Sequence, residues 1–503
     1  VTVVGWWSFH WLCDDAYLAF RYVRMSVEGH GYVWNPSPFR PVEGYTSFLW
    51  VVILDVVWRL FGVDPPTSAP ALSLVAHLGA LAVVFRLAHR VPLASAGRRL
   101  PWLAFVVLAV VTNRTWLTWT SSGLETALWL LVLLAWLDAA AARAHARLVA
   151  LAAVLPLVRP DGLLFLAATP ALVAVDLRRE RPWRAADLTL LLPYLLPVAH
   201  LLWRRATYDD WLPNTYYAKV VETWLKAGGL HIALFSFEHA LFLVGPLVLA
   251  ALWRRRDLPA LPTMALGVMA LQLLFLLRAG GDHFEYRIFL PWVPILWLAV
   301  PWACERLGWS LRRGLAVGVT IWLLGLPLPW THWAITSGSG IRYWEETHEA
   351  IAPHWPAPLR APARLRDWVA RWNHYHLVGT PHHLHRAFLD VQIGRFPEVA
   401  PVAPVDDLPI WAHPNPGYVA YHHPELYVID MLGLNDHVIA RWPAPEIRKR
   451  KLAHERFPPA GYVDCFRPNV VLVPDDVIAF PRAEPFGPDD VRSCEDHWWA
   501  LTD

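Results

Sequence analysis

The chain has 503 residues, of which 56% are hydrophobic and 17% charged, with a formal net charge of +2. A soluble domain carries about 25% charged residues, so the composition argues against an ordinary soluble protein. The near-neutral balance argues against a nucleic-acid partner.

Apolar runs near the ~20 residues needed to cross a bilayer recur through residues 1–333. They lack the polar face at helical period that a soluble bundle would show, as Ala69–His89 and Leu230–Trp253 illustrate. About eleven crossings are expected, at 1–13, 69–90, 101–113, 124–143, 147–158, 162–177, 187–204, 231–253, 259–278, 287–304 and 314–333. Val1–Leu12 is too short for a full crossing, so the first helix is expected to be truncated or completed by preceding residues, with no cleavable signal pattern.

Basic residues in short loops mark the cytoplasmic side. Arg86–Arg99, Arg143–Arg147, Arg178–Arg184, Arg254–Arg256 and Arg306–Arg313 form one such set. They alternate with Asn113–Glu125, Arg159–Gly162, Tyr208–Lys226 and Gly280–Arg287, which are rich in aromatic, Asp, Asn, His and Gly residues and are expected outside. Thr46–Phe61 would break this alternation as a crossing. It is short and holds Asp55 and Arg59, so it reads as a helix lying in the outer interface.

After Trp333 the chain turns rich in Pro, His, Trp and charge, with no run able to span. The expected architecture is an all-α polytopic membrane domain over 1–333, with its first external loop at 14–68, followed by a soluble α/β domain over 334–503. In the latter, Leu426–Met431 and Val470–Val473 read as buried strands and Arg364–Trp372 as a helix. Cys465 and Cys494 are a plausible disulfide if this region is exported. The histidines at 374, 376, 382, 383 and 385 invite a zinc reading, but their spacing matches no strong ligand signature. No internal repeat is visible, which weighs against a transporter built from repeated halves.

Candidate functional residues gather in the loops expected outside. The first holds Asp14, Asp15, Arg21, Trp34, Asn35, Glu43 and Tyr45; later loops add Glu125, Arg159, Asp161, Asn214, Tyr216, Tyr217, Lys219, Asp282, His283 and Arg287. Both signs of charge on one face of an apolar domain suit sugar transfer from a lipid phosphate. An acceptor hydroxyl needs a carboxylate near its proton, and a leaving phosphate needs cations in a water-poor site. No Walker A loop or dinucleotide fingerprint is present. Bland readings stand beside these. Arg159-Pro160-Asp161-Gly162 could be a tight turn, Tyr216 and Tyr217 an interfacial aromatic belt, Glu125 an acid at a helix N-terminus, and Asp430, Asn435 and Asp436 the close of a strand and turn.

The run Asp14-Asp15-Ala16-Tyr17 through Phe20-Arg21, then Gly29-His30-Gly31-Tyr32-Val33-Trp34-Asn35-Pro36 and Pro41-Val42-Glu43-Gly44-Tyr45-Thr46, resembles the GT-C superfamily of polyprenyl-phosphate-sugar-dependent glycosyltransferases. Within it, the chain is similar to the terminal arabinofuranosyltransferases of mycobacterial cell-wall arabinan. Gly123-Leu124-Glu125-Thr126, Arg159-Pro160-Asp161-Gly162, Pro213-Asn214-Thr215-Tyr216-Tyr217-Ala218-Lys219, Gly280-Gly281-Asp282 and Val428 through Asp436 fit the same pattern in family order.

The resemblance implies a plasma-membrane enzyme whose site and C-terminal domain face the outside. Its donor would be a polyprenyl-phosphate sugar, arabinofuranose first and mannose or glucose next, and its acceptor an envelope glycan or glycoprotein. Asp14 and Asp15 would be catalytic, Asp14 as base or charge stabiliser and Asp15 as its orienting or metal-binding partner, with the two exchangeable. The donor would meet Arg21, Arg159, Asn214, Tyr216, Tyr217, Lys219, Asp282, His283 and Arg287. The acceptor would meet Trp34, Asn35, Glu43, Tyr45, Glu125 and Asp161. A divalent cation (Mg, Mn or Ca) at the Asp pair is allowed but not demanded. The alternatives are a flippase for lipid-linked glycan and a non-catalytic glycan-binding scaffold.

Overall fold

The computed structural model describes residues 1–182, 184–219, 222–254, 258–338, 350–396, 408–444, 450–473 and 476–502. These residues are mostly helical. Pro65–Arg90, Ala185–Tyr208, Ala260–Ala279 and Leu311–Ile335 are long and apolar enough to cross a bilayer, and the protein is membrane-embedded. The expected crossing at 231–253 is instead two helices, Leu225–Glu238 and Leu241–Arg254, bent by 88° at His239 and Ala240. Counting that pair once gives five candidate spans among the described residues, not eleven.

The other expected crossings do fall on helices, but short ones. Arg99–Val111 has 13 residues, about 20 Å at 1.5 Å per residue, against a hydrocarbon core of ~30 Å. Thr126–Ala141 and His145–Val158 are likewise apolar and short. The expected interfacial segment forms the helix Phe48–Phe61, with Asp55 paired to Arg59 and accepting a hydrogen bond from Tyr32. Arg255 and Arg256 of one basic loop lie outside the described residues.

The element that organises the molecule is the helix Asp14–Val27. It is buried along most of its length and packs against both Phe48–Phe61 and the short helix Gly417–His422. One hydrophobic core therefore runs from the membrane helices through Tyr17 and Phe20 to Tyr418, Tyr421 and Val428. Gly123 makes this packing possible. It adopts φ +80°, and a Cβ there would lie 2.7 Å from Leu12 and 2.9 Å from Ala16.

In the C-terminal region, Ile410–His413 pairs in parallel with Tyr427–Asp430, placing His413 opposite Asp430, and Val470–Val473 pairs antiparallel with Asp476–Ala479. Both expected strands are strands, and the expected helix lies within Arg360–Tyr375. The sheets have only two strands each among the described residues. A second cluster (Ile429, Val438, Tyr462, Phe466 and Val491) packs around the Cys465–Cys494 disulfide, whose Cα atoms are 6.0 Å apart. Leu377–Thr380 is zipped onto the Asp282–Glu285 loop. Gly379 N–H donates to Asp282 O at 2.7 Å, Thr380 N–H to His283 O at 2.8 Å, and Glu285 N–H to Thr380 O at 3.0 Å.

Candidate functional site

Asp14 and Asp15 form the first turn of their helix, where acids are favoured by the N-terminal dipole. Their side chains have different fates. Asp14 turns onto the start of the Gly417–His422 helix, where its Oδ1 accepts from Tyr418 N–H at 2.8 Å and its Oδ2 from Gly417 N–H at 3.2 Å. Glycine is needed there, since a Cβ on residue 417 would sit 2.2 Å from the Asp14 carbonyl oxygen and 2.8 Å from its carboxylate. Burial pushes the Asp14 carboxyl up to about 7; the Tyr418 hydrogen bond opposes the rise and the Asp15 charge adds to it. Asp15 has no hydrogen-bond or ion-pair partner among the described residues and lines a cavity.

That cavity measures about 30 Å³ and is walled by Asp14, Asp15, Lys219 and His283, together with Asn415, Asp430 and His454 from the C-terminal region. Lys219 is exposed at its edge and has no carboxylate partner among the described residues. His283 Nδ1 lies 3.0 Å from Leu377 O, and His454 Nδ1 lies 3.0 Å from Leu452 O. A carbonyl only accepts, so each Nδ1 carries the proton and each Nε2 keeps a lone pair. The two rings are 5.0 Å apart, and burial lowers both, His283 to about 4. Asp430 is fixed by Leu432 N–H, Asn435 N–H and the Asn435 amide, at 2.8–3.0 Å. Burial nevertheless raises it to about 6.

The remaining expected residues divide into two groups, and in both most of the polar side chains already have partners within the protein. In the first, Arg159 bridges Asp161 at 3.0 Å and Glu125 at 3.1 Å, and Gln272 donates to Asp161 at 2.5 Å. Arg287 holds Asp282 through two bonds of 2.9 Å and lies over the Phe284 ring. Burial would raise Asp282, but the charges of Arg287 and Arg159 outweigh it and leave the carboxyl lowered. These two arginines were expected to meet donor phosphate. In this structure both pair with internal carboxylates, as buried cations must.

The second group joins the first loop to the C-terminal region. Arg21, fully buried, donates to the carbonyls of Trp34 (2.8 Å), Ala420, His423 (3.3 Å) and Leu426 (2.6 Å). Trp34 Nε1 and Asn35 Nδ2 both donate to Val428 O, at 2.8 and 3.0 Å, while Asn35 Oδ1 accepts from Val428 N–H at 2.8 Å. Asn214 donates to Gly433, Leu434 and Asp436 carbonyls at 2.9–3.1 Å and accepts from Arg441 at 2.8 Å. Glu43 pairs with Arg204 at 2.5 Å, and the Tyr45 and Tyr208 hydroxyls meet at 3.2 Å. Tyr217 lies under Arg441 at 3.9 Å, with Tyr216 edge-on beside it and 48% exposed. In this structure Arg21, Trp34, Asn35 and Asn214 act mainly as backbone clamps. Their hydrogen-bonding groups face carbonyls or amides that burial would otherwise leave unpaired.

The histidine run is also absorbed into packing. His376 Nδ1 donates to Arg450 O at 2.6 Å, His382 sits beside Glu285, which Arg114 also pairs, and His385 stacks on Phe284 at 4.3 Å. Among the described residues, no group of three or more His, Cys, Asp or Glu converges as a metal-ligand set. Each oxygen of Asp14 accepts one backbone N–H. Sequence reasoning missed Asn415 and His454 and read Asp430 only as a strand end. Asp430 had a usable signal, an acid at the end of a buried strand within the Val428–Asp436 motif.

The chain is similar to the terminal β-(1→2)-arabinofuranosyltransferase of Mycobacterium tuberculosis, with 29% identity over 350 residues, 60% of this chain and 53% of that protein. It thus spans about half the length of the curated relative it matches. Solved structures of ArnT from Cupriavidus metallidurans, bound to undecaprenyl phosphate and in the apo state, are 15% and 16% identical. Each covers 85% of this chain, over 84% and 83% of its own length, at a TM-score of 0.49. No family model matches the chain. The chain resembles the GT-C glycosyltransferases, the terminal arabinofuranosyltransferase among them.

Proposed function

We propose that the protein is a membrane glycosyltransferase that moves a sugar, D-arabinofuranose first among candidates, from a polyprenyl phosphate to an envelope glycan or glycoprotein outside the plasma membrane. The observation that carries this reading is the cavity in which Asp14, Asp15, Lys219 and His283 meet Asp430 and His454. The similarity to an arabinofuranosyltransferase supports the sugar. The disulfide supports an oxidising compartment for the C-terminal region.

In the proposed reaction the acceptor hydroxyl oxygen bonds to the anomeric carbon while the bond from that carbon to the lipid phosphate oxygen breaks. The hydroxyl proton passes to Asp15, the carboxylate with no competing donor, and the leaving phosphate takes up the bonding electrons beside Lys219. Asp14, held by two backbone N–H groups, fixes the helix start that presents Asp15. The geometry thus favours exchanging the roles first assigned to the two acids. The neutral Nε2 atoms of His283 and His454 can accept hydrogen bonds from sugar hydroxyls. At about 30 Å³ the cavity is far below the roughly 300 Å³ of a small ligand pocket, so substrate entry requires its walls to separate.

The test is transfer in detergent from synthetic polyprenyl-phosphoryl-arabinofuranose to a short arabinofuranoside, beside an Asp15→Asn variant of unchanged melting temperature. Product from the unaltered chain alone supports donor, reaction and residue together. No product, with product from mannosyl or glucosyl lipid phosphate, moves the sugar. Labelled lipid crossing the membrane without covalent product would overturn the reading in favour of a flippase.

A further inference from the structure

The helix Arg360–Tyr375 has two faces of contrasting character. Its inner face is fixed to the membrane helices. Arg366 pairs with Glu238 at 2.8 Å at the bend of the broken helix pair, Ala363 packs with Leu328 and Ile351, and Asp367, the helix's only acid, caps the N–H groups of Ile351 and Ala352 at 2.9–3.0 Å. Just before the helix, Trp355 Nε1 donates to Thr331 at the end of the Leu311–Ile335 span. The helix therefore lies at the rim of two membrane elements. It leads directly into the Leu377–Thr380 segment zipped beside the Asp15 cavity, so it lies on the cavity side of the membrane.

Its outer face follows the helical period with Arg364, Leu365, Trp368, Arg371 and Tyr375, at 53%, 62% and 48% exposure for Leu365, Trp368 and Tyr375. Arg364 and Arg371 are exposed, and neither has a carboxylate partner among the described residues. One exposed leucine would mean nothing. Leucine and tryptophan one turn apart, flanked by arginines with no acid on the face, is the composition of a helix lying in a bilayer interface. Close to this face, Phe242 is 52% exposed and stacks on Phe237, which packs against the cluster that holds Ala363.

We propose that Arg360–Tyr375 is a bilayer-seated helix, with Leu365 and Trp368 at the headgroup–acyl boundary and Arg364 and Arg371 on lipid phosphates. It seats the C-terminal region on the membrane and holds the cavity wall at a constant height above the lipid. The inference needs only that the chain is membrane-embedded and stands or falls separately from the transfer reaction.

The test uses the full chain in nanodiscs of phosphatidylcholine with and without phosphatidylglycerol. The native free thiols, Cys13 and Cys304, are buried, and the other two cysteines are disulfide-bonded. Spin labels are placed by Leu365→Cys, by Trp368→Cys and, as a water-exposed control, by Asp489→Cys, whose side chain is 98% exposed. At 365 and 368, collision with oxygen should exceed collision with a water-soluble nickel chelate, with the reverse at 489. Adding Arg364→Gln and Arg371→Gln should shift the 368 label toward water only in the anionic discs. Labels at 365 and 368 that match the control would overturn the proposal. So would labels shielded from both reagents, which would mean that protein, such as a second copy of this chain, covers the face.

Discussion

Two regions of the molecule hold polar residues of the same kinds within a few residues of each other, and they use them in opposite ways. In the Arg21 clamp, the donors of Arg21, Trp34, Asn35 and Asn214 end mainly on backbone carbonyls of residues 420–436. In the Asp15 cavity, several groups keep hydrogen-bonding capacity that the fold does not use. His283 and His454 are tethered through Nδ1 with Nε2 left over, and Asp15 and Lys219 are not tethered among the described residues. Burial and charge alone do not distinguish the two regions. What distinguishes them is whether hydrogen-bonding capacity remains after the fold is made.

The sharpest way to break this comparison is to remove one group from each side. Asp15→Asn should lower transfer by about 10²–10⁴-fold, the range for a lost general base, with no change in melting temperature. Arg21→Met should do the opposite. Several buried carbonyls lose their donor, at about 1–3 kcal/mol for each group left unsatisfied, so the protein should melt early or fail to accumulate. Per folded molecule, its transfer rate should stay near normal. If Arg21→Met folded normally and abolished transfer, the clamp would belong to the site.

Gly417→Ala tests the link between the two regions, because Gly417 belongs to the C-terminal region yet touches Asp14. The added methyl has no room against the Asp14 backbone. Overpacking of this kind costs about 1–3 kcal/mol, and here the displaced helix start should also reduce transfer. Lys219→Gln should leave stability untouched and reduce transfer about 10- to 100-fold. That is less than the ~10²–10³ of a buried donor, because water and salt screen an exposed cation. An unchanged rate would remove Lys219 from the reaction.

How much was readable beforehand follows the same division. The membrane helices were legible because apolar composition is a local property. The break at His239 and Ala240 was not, because Glu238 and His239 interrupt the apolar run only briefly and Ala240 reveals its left-handed backbone only in three dimensions. Asp14, Asp15, Lys219 and His283 could be picked out as polar residues near apolar runs. Arg21 and Asn214 looked the same, and their true partners lie 399 to 405 and 219 to 222 residues away. His454 and Asn415 carried no pattern, because their place is set only when the C-terminal region folds over the Asp14–Val27 helix.

The pH dependence of stability at Asp14, where the two regions meet, has a sign that can be worked out in advance. Burial raises this carboxyl from 3.8 in the unfolded chain to about 7 in the folded protein. Between those values the folded state binds more protons than the unfolded one, so stability falls as pH rises. The contribution is fully present below 3.8, declines across the window and is flat above about 7. Other buried acids, including Glu43 and Asp430, titrate in the same range, so the wild-type profile alone does not isolate Asp14. The difference from Asp14→Asn does. Asparagine can still accept from Tyr418 N–H but has no carboxylate to ionise. The melting temperature of the variant minus that of wild type should therefore climb with pH from about 4 to about 7 and then level. A difference that stays flat would mean that Asp14 ionises freely, and that the two backbone N–H groups, not burial, set its charge.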